Sequence, residues 1–135
     1  MKTVLCSRTR PSQIGEEIYD GGFGYTLDFS WAKWPKDLEG VHTLNGCFDP
    51  EGNLYVATEN PENPVVIFSP EGGYLRSIGA GLFKKAHSVF LTPHRTILTA
   101  DTSPGYHVIR EITMDGELVY DFGTLGQPGD SGYDL

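Results

Sequence analysis

Residues 46–58 read Gly46-Cys47-Phe48-Asp49-Pro50-Glu51-Gly52-Asn53-Leu54-Tyr55-Val56-Ala57-Thr58. Residues 65–79 read Val65-Val66-Ile67-Phe68-Ser69-Pro70-Glu71-Gly72-Gly73-Tyr74-Leu75-Arg76-Ser77-Ile78-Gly79. Short apolar runs and tight turns follow one another with almost nothing between them. Asp49-Pro50-Glu51-Gly52-Asn53 is a turn on chemical grounds: Pro presets φ, Gly accepts a positive φ, and Asp or Asn bonds back to the backbone. Pro70-Glu71-Gly72-Gly73 repeats that chemistry. The pattern predicts four strands, near 42–48, 53–58, 64–69 and 73–78. Leu54, Val56, Val66 and Phe68 are expected to face the core between units, and their neighbours the other side, which stacking also buries.

The unit then returns. Ser69-Pro70-Glu71-Gly72 is matched by Thr113-Met114-Asp115-Gly116 at an offset of 44 residues, and Gly79 by Gly123 at the same offset. Leu54-Tyr55-Val56-Ala57 is matched by Ile97-Leu98-Thr99-Ala100 at an offset of 43. Strands of the second unit are expected near 87–91, 96–100, 106–112 and 117–122. Four short strands per period in the low forties is the mark of propeller blades. The expected class is therefore all-β: a β-propeller with one blade over 41–83, a second over 84–123 and a connector over 124–135. A propeller closes with no fewer than four blades. The chain is expected to be part of a longer propeller, with closure by self-association as the alternative.

Residues 1–40 form an N-terminal segment with an edge strand. Tyr25, Leu27 and Phe29 alternate with Gly24, Thr26 and Asp28 after the turn Asp20-Gly21-Gly22, the period of a half-buried strand. Residues 1–12 are expected to fray or to form a peripheral strand. Gly21-Gly22-Phe23-Gly24 lacks the Lys-Ser/Thr ending of a phosphate loop and is read as a turn. Trp31, Trp34, Pro35 and Leu38 are expected to form an apolar plug or a subunit contact, with a ligand-stacking platform as the alternative.

Composition narrows the function. With 10 Lys and Arg against 18 Asp and Glu, the chain carries a formal charge of −8. That disfavours nucleic acid and anionic membrane, both of which need a basic footprint. Cys6 and Cys47 are the two cysteines; they make neither a disulfide framework nor a CxxC metal spacing, and buried thiols are expected. The N-terminal apolar run is too short for a signal peptide, and no stretch approaches a membrane span. A cytoplasmic location is the expectation.

Asn45 through Asp49, Gly79-Ala80-Gly81-Leu82-Phe83-Lys84-Lys85-Ala86-His87-Ser88-Val89, Thr99-Ala100-Asp101 with His107, and the ending Leu125-Gly126-Gln127-Pro128-Gly129-Asp130-Ser131-Gly132-Tyr133-Asp134 carry a resemblance to a known family. The blade wording resembles NHL repeats, and over roughly residues 25–135 the chain is similar to the peptidyl-α-hydroxyglycine α-amidating lyases and their bacterial relatives. The resemblance implies a six-bladed propeller with zinc in its channel, held by three histidines, and a structural calcium nearby. It implies His87 as a zinc ligand and the backbone carbonyls of Cys47 and Val89 as calcium ligands. The implied reaction is zinc-assisted cleavage of a peptidyl-α-hydroxyglycine-type substrate into an amide and glyoxylate.

The chain also departs from that pattern. Ala86 and Ser88 flank His87 where the family has Pro and Gly, and Glu59-Asn60 stands where it has a catalytic arginine. An acid or amide there cannot bind a carboxylate as a guanidinium does. The remaining histidines and the catalytic tyrosine would come from later blades, so this stretch alone is expected to be inactive and assigns no catalytic residue. The alternative function is a non-catalytic NHL module that binds a protein, peptide or sugar. Read without the resemblance, His87 is a packed or hydrogen-bonded histidine. Asp101, at a strand end, is expected to bond backbone amides; an Asp101–His107 contact is the next reading. His42 and His94 suggest exposed turns, and Tyr55 a core aromatic with a channel position as alternative.

Overall fold

The computed structural model describes residues 17–20, 23–26, 28 and 30–129. Cys6, residues 1–12, Leu27, Phe29 and residues 130–135 lie outside them. The chain divides into two compact units, Met1–Ala32 and Lys33–Leu135. The first contains a hairpin of β1 (Glu17–Asp20) and β2 (Phe23–Thr26), paired Glu17↔Thr26 through Asp20↔Phe23.

Among the described residues, the second unit is all-β apart from one 3₁₀ turn at Lys36–Leu38. Strands β3 (Thr43–Phe48), β4 (Leu54–Thr58), β5 (Val65–Phe68) and β6 (Tyr74–Ile78) form one antiparallel sheet in chain order. Strands β7 (Phe90–Leu91), β8 (Thr96–Asp101), β9 (Val108–Thr113) and β10 (Leu118–Phe122) form another in the same order. Each expected strand is present, within a residue or two of its expected ends, except that β7 is shorter. An isolated Ala86↔Asp101 bridge continues its line toward the chain start. Among the described residues no helix is long and apolar enough to cross a membrane.

Four hairpin turns share one construction. In the turns starting at Asp49, Ser69, Thr92 and Thr113, the first residue's N–H bonds the fifth residue's carbonyl, and the fourth residue's N–H bonds the first residue's carbonyl. The first side chain also accepts from backbone N–H groups of the turn: Asp49 Oδ1 from Asn53 N at 2.7 Å, Thr113 Oγ1 from Glu117 N at 3.1 Å. The fourth residue needs a left-handed backbone. Gly52, Gly72 and Gly116 supply it with φ of 88°, 77° and 88°, but in the third turn the residue is Arg95, with φ 61°. A side chain in that region costs about 1–2 kcal/mol.

The two sheets share one core. Tyr55, Ala57, Val65, Ile67 and Ile78 from the first meet Ile97 and Ile112 from the second, with Phe83, Ala86 and Val89 from the connection between them. Period-two alternation puts Leu54, Val56, Val66 and Phe68 on the opposite face of the first sheet, so the core between the sheets is made by their neighbours. The expected assignment of the two faces is thus reversed. Phe68, fully buried, is covered edge-to-face by Trp34 at 4.8 Å between ring centroids. The Trp34 segment is tied down by the Lys33 N–H bond to the Gly72 carbonyl (2.8 Å) and by buried Leu38. Trp34 therefore acts as the apolar plug.

Candidate functional site

Within each antiparallel sheet the hairpin turns lie at one end of the strands, and the connections 59–64, 79–89 and 102–107, which carry Glu59 and His87, leave from the other. At the connection end Thr58 bonds the Asn63 carbonyl through its hydroxyl (2.7 Å), and Asn60 Oδ1 accepts from the Glu62 N–H (2.9 Å). This folds residues 59–64 into a short loop and presents the Glu59 carboxylate to a histidine and a lysine. His42 Nδ1 approaches it at 2.8 Å, and Lys85 Nζ, from the connection to the second sheet, pairs with the same oxygen. Hydrogen bonds from Lys85 and then His42 hold Glu59 below the usual carboxylate pKa. Where the resemblance expects an arginine, this chain has a carboxylate bridged by a lysine and a histidine.

Asp101, 1% exposed, organises the same end. Its Oδ2 accepts from Lys84 N (2.7 Å) and Lys85 N (3.0 Å), and its Oδ1 from Ser103 N (2.9 Å). Burial pushes its pKa up, but donors at Lys85, Ser103 and Lys84 outweigh that and leave it lowered. Asp101 is thus the backbone-bonding residue expected from its place at a strand end. It also sets the path of the chain into His87, whose N–H bonds the Ala100 carbonyl at 2.8 Å and whose side chain is exposed. His107 sits in the next loop with φ 46°.

The first strands of the two sheets, β3 and β7, lie side by side. Asn45 Oδ1 accepts from the Val89 N–H at 2.9 Å, so a side chain of one edge satisfies a donor of the next. Burial is the larger influence on Cys47 and pushes its thiol pKa up. The two carbonyls implied for calcium face differently. The turn bond from Asp49 N to Asn53 O makes Cys47↔Tyr55 a hydrogen-bonded pair, so the Cys47 carbonyl points to β4. The Thr92 N to Thr96 O bond makes Phe90↔Leu98 such a pair, so the Val89 carbonyl points away from β8, toward β3.

Among the described residues no group of three or more His, Cys, Asp or Glu side chains is placed to hold a metal ion. A catalytic zinc needs about three protein ligands and one open position. His87 supplies one at most, so these residues alone do not make a zinc centre. Tyr55 is in the core, 4% exposed, rather than lining a channel. His42, expected to be a plain surface turn, proved to be a partner of Glu59. His42 faces Glu59 across the β3–β4 pairing, where the Glu59 N–H bonds the His42 carbonyl at 3.0 Å, whereas Lys85 arrives from the connection to the second sheet, which no sequence spacing signals.

No protein-family model and no curated protein matches this chain significantly.

Proposed function

We propose that the two sheets are consecutive blades of an NHL-type β-propeller of the amidating-lyase-like kind. The completed ring would cleave a peptidyl-α-hydroxyglycine-type substrate to the amide and glyoxylate. One observation carries the propeller reading. The face that the first sheet buries against the second is made by Tyr55, Ala57, Val65, Ile67 and Ile78. At offsets of 43 and 44 residues these become Leu98, Ala100, Ile109, Glu111 and Phe122 of the second sheet. That face is open: Ile109 and Phe122 are each 46% exposed, and Tyr120, in edge contact with Phe122 at 4.8 Å, is 57% exposed. A repeated face that is buried once and open once calls for another sheet of the same kind.

His87 is the residue of this chain through which zinc would be bound, and further blades would complete the ligand set. Zinc in such a site supplies Lewis acidity toward a hydroxyl. A non-catalytic binding propeller is the second reading, favoured by the Glu59 carboxylate with Lys85 and His42 where the lyase reading needs an arginine. Metal analysis of the purified full protein, with glyoxylate release from an N-acyl-α-hydroxyglycine, separates them. The lyase reading expects bound zinc and glyoxylate, both lost in His87→Ala. Zinc-free protein without glyoxylate release leaves the binding module.

A further inference from the structure

The hairpin end, opposite His87, carries a groove between the Asp49 and Thr92 turns. It is a cavity of about 440 Å³, in the size range of small-molecule sites. Its walls are Phe48, Pro50, Leu91, Pro93 and Met114, with Arg95 at the lip. Phe48 is 65% exposed, an unusual placement for a phenylalanine on a sheet edge.

Arg95 is the exception among the four turns. Three use glycine at the left-handed position, and only this one places a side chain there. The ion pair it makes, Nη1 to Glu51 Oε1 at 3.2 Å, joins two exposed side chains and offsets that strain weakly. The arginine is therefore not explained by the fold. Backbone strain that stability does not explain points toward function.

The other polar groups of the groove are already committed. The Asp49 carboxylate, 8% exposed, accepts from Asn53 N (2.7 Å) and Asn53 Nδ2 (2.8 Å). Thr92 Oγ1 accepts from the His94 and Thr96 N–H groups and donates to Thr96 Oγ1 at 2.6 Å, whose own proton goes to Glu111. That leaves apolar walls and a guanidinium. Glu51 engages Nη1, and the Nε–Nη2 edge has the fork geometry that matches a carboxylate.

We propose that this groove binds an apolar carboxylate: an aromatic or branched aliphatic body against Phe48, Leu91 and Met114, with its carboxylate on Arg95. The chemistry fits a peptide C-terminus with an apolar last residue, or a simple aryl-alkyl acid. The site is independent of the lyase reading, since it lies at the other end of the strands and uses neither His87 nor Glu59.

The test is a titration of the full chain followed by ¹H–¹⁵N NMR, with N-acetylphenylalanine, its amide and 3-phenylpropionate as probes. Saturable shifts confined to the Asp49 and Thr92 turns are expected, with the acid binding about tenfold or more tighter than the amide. Tighter binding of N-acetylphenylalanine than of 3-phenylpropionate assigns a peptide C-terminus; equal binding assigns a simple acid. Arg95→Gly should bring acid binding down to the amide's level while raising the melting temperature, because it restores the residue the turn prefers. Phe48→Ala should weaken both probes and leave melting unchanged. The proposal is overturned if no probe saturates, if acid and amide bind alike, or if Arg95→Gly binds the acid as the parent does.

Discussion

Gly116 is a point of close approach between the two sheets, and replacing it tests that approach. It is the left-handed residue of the β9–β10 turn, and a Cβ built there would lie 2.6 Å from the Gly79 nitrogen and 2.9 Å from the Ile78 Cβ. Both atoms belong to the first sheet or its end, and backbone cannot swing aside. Gly81 is the matched control: its φ is 75°, yet an added Cβ meets nothing within 4 Å. Gly81→Ala carries left-handed strain of about 1–2 kcal/mol, partly offset by about 0.4–1 kcal/mol from a less flexible unfolded chain. Its net cost is about 1 kcal/mol. Gly116→Ala adds overpacking of about 1–3 kcal/mol between the sheets, for a total of about 3 kcal/mol. At roughly 4–8 °C per kcal/mol for a domain of this size, Gly81→Ala should melt about 5 °C below the parent and Gly116→Ala about 15 °C below. Thermal and urea unfolding followed by circular dichroism measures both. Equal losses in the two variants would refute the close approach of the sheets at Gly116.

Two further variants probe the ends of the unit. Asp101→Asn keeps the shape but removes the charge that three backbone N–H groups share, and should cost about 2–3 kcal/mol at pH 7 by urea unfolding. Because the folded pKa is depressed, the parent's advantage is fully present above the unfolded carboxylate value near 4. It is lost as pH falls through the folded value, so the two proteins should converge in acid. Trp34→Ala uncovers Phe68 and should cost about 2 kcal/mol in the same assay, with near-ultraviolet dichroism losing the signal of the packed ring pair.

The strands of the second unit were legible because each is a short apolar run between turn residues, and the turn chemistry at Asp49, Ser69 and Thr113 is explicit in sequence. The turn at Thr92 was harder to recognise: Pro93-His94-Arg95 lacks the glycine that marks the others, and only the backbone reveals the same geometry. Which face of the first sheet meets the second was not legible. Leu54, Val56, Val66 and Phe68 are as apolar as Tyr55, Ala57, Val65 and Ile67, and a strand buried on both faces carries no alternation to orient it. Asp101 was readable as a backbone acceptor because short-range bonding decides its role. The Glu59–Lys85 contact and the groove under Arg95 were not, since each joins residues that only the juxtaposition of the two sheets brings together.

The account rests on the open face of the second sheet needing a partner sheet, and sedimentation velocity on the chain across a concentration series tests it directly. The expected result is self-association that Ile109→Lys, in the middle of that face, abolishes. Leu75→Lys, at a site 52% exposed on the other sheet, should leave it intact. A chain that stays folded and monomeric at every concentration, or association indifferent to Ile109→Lys, would contradict the propeller reading.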